Sequence, residues 1–425
     1  MAANDARPHV VIIGGGFAGL YAARWLARRP VRITLVDRKN HHTFQPLLYQ
    51  VAMAALSPAD IASPIRGILR GYKNVEVLLD EAVGFDLAAR RVKLRKLELE
   101  YDYLIVAAGA THAYFGHDDW ALYAPGLKTL EDALEIRRRV LLAYELAERQ
   151  AAAGGPVDPL NFVIVGAGPT GVELAGALAE IAHQALVRDF RHIDPKQTRI
   201  LLLEGGPRIL PTYPESLSRS AEAQLRRLGV KVRTSTMVTA IEPRAVRIGD
   251  ERIPTAVTLW AAGVLASPLG KMFGVPTDRA GRVIVEPDLS IPGHPEVFVV
   301  GDLASCKDAE GKVVPGVAPA AMQQGRAAAK SIWRDIQKKP RENFVYRDKG
   351  SLATIGRAAA VADLPGHVRL SGLVAWLAWL FIHVFFLIGF RNRILVIIQW
   401  AWAYLTFQRG TRLITGRTDI LEDTR

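Results

Sequence analysis

The chain has a single cysteine, Cys306, in 425 residues. No intramolecular disulfide and no metal site built on cysteines is available to it. The first nine residues, MAANDARPH, contain no apolar run, so no secretory leader is expected and the bulk of the chain is expected in the cytoplasm. Nucleic-acid binding also lacks support. Lys and Arg outnumber Asp and Glu by 54 to 42, a net charge of +12, but the basic residues are scattered and no reading module is visible. An anionic lipid surface is the better match for that charge. Apolar residues are plentiful, at 50% of the chain, and the length suits two or three domains.

Two stretches have the same design. HVVIIGGGFAGLYAA, at 9–23, reads as a strand, a glycine-rich turn and a helix, with Gly14, Gly16 and Gly19 in the G-x-G-x-x-G pattern. The next strand, VRITLVD, ends in Asp37, 18 residues after Gly19. In that context the glycines let the backbone approach a pyrophosphate, the helix N-terminus stabilises its charge, and the acid accepts from a ribose hydroxyl. FVIVGAGPTGVELAG, at 162–176, repeats the pattern with Gly166, Gly168 and Gly171, and its next strand, TRILLLE, ends in Glu204. The second helix reads as continuing to about Arg188. An acid at Glu204 favours a free ribose 2′-hydroxyl, hence NADH over NADPH.

The repeat extends further. YDYLIVAAGA and AVTLWAAGV are both strands ending in Ala-Ala-Gly. Gly109 falls 95 residues after Gly14, and Gly263 falls 97 after Gly166. Small residues there leave room for a cofactor against the backbone. A later buried strand, PEVFVVGDLA, presents Gly301 and Asp302. This carboxylate reads either as a ligand for a polyol chain or as an ordinary turn acid.

These motifs resemble the two-dinucleotide-binding-domain flavoproteins. HHTFQPLLYQVA (41–52), GAGPTGVELAG (166–176), APAAMQQG (318–325) and IGFRNRILVIIQWAWAYLTFQRGTRLIT (388–415) are similar to the type II NADH dehydrogenases, the single-chain, non-pumping NADH:quinone oxidoreductases. The resemblance implies an α/β fold of two Rossmann-like domains, for FAD and NADH, plus a C-terminal helical membrane-anchoring segment. Its expected boundaries are 1–115 with 290–335 for a discontinuous FAD domain, 116–289 for the NADH domain and 336–425 for the anchor. FAD is assigned to Gly14, Gly15, Gly16, Phe17, Ala18, Gly19, Asp37, Arg38, Ala82, Gly109, Asp302, Pro319 and Ala320. NADH is assigned to Gly166, Gly168, Pro169, Thr170, Gly171, Glu173, Glu204 and Gly263. The quinone is assigned to Gln45, Pro46, Tyr49, Pro319 and Gln323, with Glu173 and Gln323 as catalytic residues. The family's quinone motif is commonly Ala-Gln-x-Ala-x-Gln. Here proline replaces the first glutamine, and Pro319 offers neither an amide side chain nor a backbone N–H.

The resemblance also implies one resident cofactor and one visiting one, with hydride passing from NADH to FAD. Relatives that relay electrons to sulfur use a cysteine pair. With Cys306 alone, electrons are expected to leave the flavin directly for a lipid-soluble acceptor. Glu173, read as lying in the first helical turn, is pulled toward ionisation by the helix dipole and away from it by burial. It reads as positioning nicotinamide, as relaying a proton to the quinone, or as a helix acid without a catalytic role. TFQPLLYQVA reads as an apolar wall around the flavin or as a buried connector, with Gln45 and Gln50 as its polar contacts.

The tail has two apolar runs. Residues 372–390 carry one polar side chain, His383, and 394–407 follow after Arg391-Asn392-Arg393. Hydropathy alone favours a spanning helix, since nineteen helical residues cover about 28 Å. A buried core pair is a second reading. A helical pair lying in one leaflet is a third, preferred because the family is monotopic. Trp376, Trp379, Trp400 and Trp402 are expected at the headgroup level, and Arg391, Arg393, Arg409 and Arg412 on anionic phosphates. A homodimer is a family expectation. The competing functions are a soluble-type reductase for a ferredoxin-like protein and a flavin-binding sensor with little turnover.

Overall fold

A computed structural model describes residues 7–308, 310–387, 390–406 and 411–415, with the side chains of 390, 391 and 403–406 left out. In chain order, the elements used below begin with β1 (His9–Ile13), α1 (Phe17–Leu26), β2 (Arg32–Asp37), α2 (Leu48–Ala52), β3 (Val75–Leu79), β4 (Tyr103–Val106), β5 (Asn161–Val165) and α3 (Pro169–Glu180). They continue with β6 (Arg199–Leu203), β7 (Val230–Arg233), β8 (Val257–Trp260), β9 (Ser290–Ile291), β10 (His294–Val299) and α4 (Ala318–Ile336). The last are β11 (Ser351–Gly356), β12 (Ala359–Leu364), β13 (Val368–Ser371), α5 (Gly372–Phe386) and α6 (Phe390–Thr406).

The chain forms two compact units. The first contains 1–43, 62–111 and 264–349. Its main sheet has the order β9-β10-β4-β1-β2-β3. Every pair is parallel except the β9–β10 edge. All five residues of β1 are buried, as expected of a parallel strand covered on both faces. One face packs Val11, Ile13, Val36, Leu104, Val106, Val297 and Val299 with Ala82, Val92 and Leu94 of a small antiparallel meander. On α1, a Cβ built on Gly325 of α4 would sit 2.1 Å from the Ala18 carbonyl oxygen. Only glycine lets these two helices approach so closely.

The second unit contains 44–61, 112–263 and 350–425. Its central sheet has the order β7-β6-β5-β8, all parallel. Its core joins Val163, Val165 and Leu203 to Tyr114, Trp120 and Trp260. Tyr114 and Trp260 stack with centroids 5.2 Å apart.

The units divide the chain elsewhere than at the expected boundaries. Residues 264–289 fall in the first unit, where Ser267 N–H bonds the Gly109 carbonyl and Val283 pairs with Ala304. Residues 44–61 fall in the second. There, the Trp400 indole donates to Gln50 Oε1 at 2.7 Å.

The region read as pure anchor begins with an antiparallel sheet, β11-β12-β13. It packs on α3 at Gly176, where a Cβ would lie 1.6 Å from the Ile355 carbonyl oxygen. On its other side, Ala360 and Ala362 pack on Ala375 of α5.

No described helix is long and apolar enough to cross a membrane. The 15 residues of α5 span about 22 Å, short of a core of about 30 Å. Two tryptophans expected at the headgroup level point inward instead: Trp379 is 2% and Trp400 5% exposed, with centroids 5.3 Å apart. Trp402 is exposed. Two of the arginines expected on phosphates are held by the protein. Arg393 donates to the Leu387 carbonyl, and Arg412 donates to the Ala185 carbonyl and pairs with Asp189. The Arg391 side chain and Arg409 lie outside the described residues.

Candidate active site

Both fingerprint turns are anion cradles. Helix α1 starts at Gly16 and α3 at Gly168, each without a side-chain cap and without an acid in its first turn. Their leading N–H groups and the positive dipole end therefore remain for a ligand. Gly14 has φ +102° and Gly166 φ +97°, a region that favours glycine. A Cβ at Gly14 would sit 2.4 Å from the Ala107 carbonyl oxygen, and one at Gly166 2.4 Å from the Ala262 Cα. These first glycines bring the turn onto the Ala-Ala-Gly strand ends. Gly16 and Gly168, in contrast, face open space. The missing side chain there clears room for a pyrophosphate.

The acids that follow act alike. Asp37 accepts from Gly15 N–H at 2.6 Å and Lys39 N–H at 2.7 Å. Glu204 accepts from Ala167 N–H at 2.7 Å and Gly206 N–H at 2.8 Å. Each carboxylate ties its turn to the next strand, and its remaining lone pairs can accept from ribose hydroxyls. The residues fit a dinucleotide in each unit.

The other residues expected at FAD are more varied. Gly109 has φ +68° and open space above it, Asp302 follows Gly301 at φ +74°, and Arg38 is exposed. Ala18 is buried against α4 and Ala82 in the core, so their side chains serve packing. Phe17 meets His42 edge-on at 5.0 Å. Pro319 occupies the first turn of α4, where its missing N–H breaks no helical bond. Ala320 is buried beside it. Gln323 donates to the Arg347 carbonyl at 2.9 Å and accepts its N–H at 3.0 Å. The sequence reading passed over the neighbouring Gln324, which is 3% exposed. It accepts from Gly301 N–H at 2.5 Å and donates to Cys306 Sγ at 3.0 Å. Burial pushes the Cys306 thiol up to about 11, so it stays an inert thiol.

In the second unit, Pro169 opens α3, and Gly263 lies under the ring of Phe115. A cavity of about 80 Å³ brings Glu173 together with Tyr49 and Gln50. Gln50 links the Tyr49 hydroxyl, 2.8 Å away, to the Trp400 indole. Glu173 lies in the second turn of α3 rather than the first, because the helix begins at Pro169. Burial dominates there and raises its carboxyl to about 8, against a single Thr354 backbone N–H that favours the anion. The upward shift favours the protonated form of Glu173 near neutral pH. Gln45 is exposed and Pro46 half-buried in a 3-10 turn ahead of α2. The cavity also includes Glu180, Gln184 and Arg357, which the sequence reading did not name. Glu180 and Gln184 follow Glu173 at helical spacing, a usable signal. The second helix stops at Glu180 and turns through a π-helical Ile181–Ala185, short of Arg188.

The family model for the pyridine nucleotide-disulphide oxidoreductases matches residues 8–325, and that for the NDH2 C-terminal domain matches 349–409. The chain is 46% identical to the type II NADH:quinone oxidoreductase NdhA of Mycobacterium tuberculosis, over 98% of this chain and 91% of that one. It is 30% identical to the type II NADH:quinone oxidoreductase of Haemophilus influenzae, over 84% and 87% of the two chains. In fold it is similar to NDH2 from Plasmodium falciparum in complex with NADH, with TM-score 0.84 and 20% identity over 96% of this chain and 100% of that one. With its duplicated nucleotide turns and its NDH2 C-terminal domain, the chain belongs to the type II NADH:quinone oxidoreductases of the pyridine nucleotide-disulphide oxidoreductase family.

Proposed function

We propose that this chain oxidises NADH and, through FAD, reduces a quinone at a membrane surface without pumping protons. The observation that carries the reading is the pair of uncapped fingerprint turns, one per unit, each tied by an N–H bond to the acid that ends the next strand. We assign FAD to the first turn and NADH to the second, a reading that family membership supports. Asp37, Gly14, Gly16 and Gly19 hold the FAD nucleotide end, with Asp302 on its polyol chain. Glu204 with Gly166, Gly168 and Gly171 holds NADH and disfavours a 2′-phosphate. FAD, when bound, accepts a hydride and releases the electron pair to a second substrate. The lone, buried Cys306 leaves no sulfur relay in that path.

Glu173 is the acid of the quinone step: it lines the cavity with Tyr49 and Gln50, and burial pushes its carboxyl up to about 8. Tyr49 and Gln50 line the same cavity and position the acceptor. Pro319 and Gln323 shape the start of α4 through backbone bonds. Membrane attachment is supported by the exposed Leu373, Leu377, Phe381 and Phe385 of α5 and Ile397, Ile398 and Trp402 of α6. We place this surface on the cytoplasmic side, in a homodimer. Sedimentation in detergent tests the dimer.

The deciding assay is anaerobic NADH oxidation with and without a short-chain quinone. Acceleration by quinone, with NADPH a poor donor, is expected. Turnover with a ferredoxin-like protein but not with quinone would overturn the reading, and so would bound flavin with no turnover on either acceptor.

A further inference from the structure

We propose that Glu180 is the outer relay of a water-filled proton path that ends on Glu173. This rests on the reading above, in which Glu173 protonates the quinone. Quinone reduction to quinol takes up two electrons and two protons. NADH gives up two electrons and one proton as hydride, leaving NAD⁺, so the second proton must come from water. An acid enclosed by protein needs a route by which that proton returns.

One face of α3 supplies such a route. Glu173, Ala177, Glu180 and, within the π turn, Gln184 line the cavity in succession. Glu173 and Glu180 are each half-buried and Gln184 is exposed, so the row ends at solvent. Ala177 leaves the space between the carboxyls unfilled. Seven residues of helix separate the two acids by about 10 Å, too far for direct transfer but within reach of two or three waters. The cavity, at about 80 Å³, exceeds the roughly 10–15 Å³ that one water needs. Room for the Glu180 carboxylate is made by Gly356, where a Cβ would lie 3.0 Å from Glu180 Oε1. The Arg357 backbone N–H donates to that same oxygen and holds it at the cavity wall.

In each turnover Glu173 gives its proton to a quinone oxygen and is left as a carboxylate. A proton passing from Glu180 through the waters restores it, and solvent at the mouth refills Glu180. The other ionisable groups facing Glu173 do not compete. Tyr213 is pushed up by burial, with Glu173 and Asp363 adding to the shift, and stays protonated. Tyr49 of α2 is bonded to Gln50, and Arg357 lines the cavity next to Glu180, to which its backbone N–H donates.

The test is Glu180→Gln in the full-length, FAD-loaded enzyme. Quinone turnover should fall roughly tenfold, with KM for quinone unchanged and anaerobic flavin bleaching by NADH unchanged. Small weak acids such as formate should restore it, and Glu180→Asp should retain most of it. The infrared band of the protonated Glu173 carboxyl, assigned by its loss in Glu173→Gln, should exchange in D₂O more slowly in Glu180→Gln. Unchanged turnover and exchange would overturn the proposal, as would a loss that weak acids do not rescue. A raised KM for quinone at full kcat would mark the cavity as a quinone slot instead. Any of these in an enzyme whose wild type reduces quinone leaves the proposed function standing. A wild type indifferent to quinone removes both.

Discussion

In the first nucleotide fold a Cβ on Gly19 would lie 1.8 Å from the Gly14 carbonyl oxygen, and in the second a Cβ on Gly171 would lie 1.8 Å from that of Gly166. The acids Asp37 and Glu204 hold their turns with matching pairs of N–H bonds. The two folds part company on the far side of the helix. Over α1 lies another helix, α4, touching at Gly325 and Ala18; over α3 lies a sheet strand, β11, touching at Gly176 and Ile355. Two residues past the third glycine the first fold has Tyr21, under the Arg326 guanidinium at 4.8 Å. The second has Glu173, whose carboxyl is pushed up to about 8 by burial. One scaffold thus binds a nucleotide twice, and what covers its helix decides whether that helix also carries an acid.

The largest effect expected follows from substituting the shared glycine on each side. Gly19→Ala forces a side chain into backbone, at about 1–3 kcal/mol or more, and should yield protein with at least tenfold less bound FAD, read from flavin absorbance after gel filtration. Gly171→Ala suffers the same clash but should keep its FAD and raise KM for NADH instead. If both variants lose flavin alike, the assignment of one cofactor to each fold is wrong.

Next is the acid that only the second fold carries. Glu173→Gln should lower quinone turnover by roughly 100-fold while NADH still bleaches the flavin. In the wild type, quinone turnover should decline as pH rises through about 8, where Glu173 loses its proton. The sign for stability agrees. A carboxyl raised from 4.5 to about 8 gives a native state that binds more protons than the unfolded one across that window. Stability should therefore fall as pH rises through it. Chemical denaturation at pH 5 and 8 should show this slope in the wild type and less of it in Glu173→Gln.

A smaller effect is expected at the paired acids. Glu204→Ala should cut the preference for NADH over NADPH by about tenfold, from kcat/KM with each donor, and leave FAD content unchanged. The smallest concerns the one thiol. Cys306→Ala should change quinone turnover less than twofold by our estimate, since burial keeps it protonated. A large loss would reopen the sulfur route.

The amino-acid sequence by itself determined the duplicated scaffold, its two nucleotide turns and their acids. Those features are local: glycine spacing, a preceding buried strand and a terminal carboxylate act within one βαβ unit. It also pointed to Glu173, but could not weigh dipole against burial. Only the tertiary structure decided that burial prevails, because the wall around that acid is drawn from 44–61, 350–357 and the tail helices, far apart in the chain. The inward turn of Trp379 and Trp400, the sheet at 351–371 and the division of the chain into units have the same origin. Each depends on which distant surface an apolar segment meets, and hydropathy read along one segment carries no information about its partner.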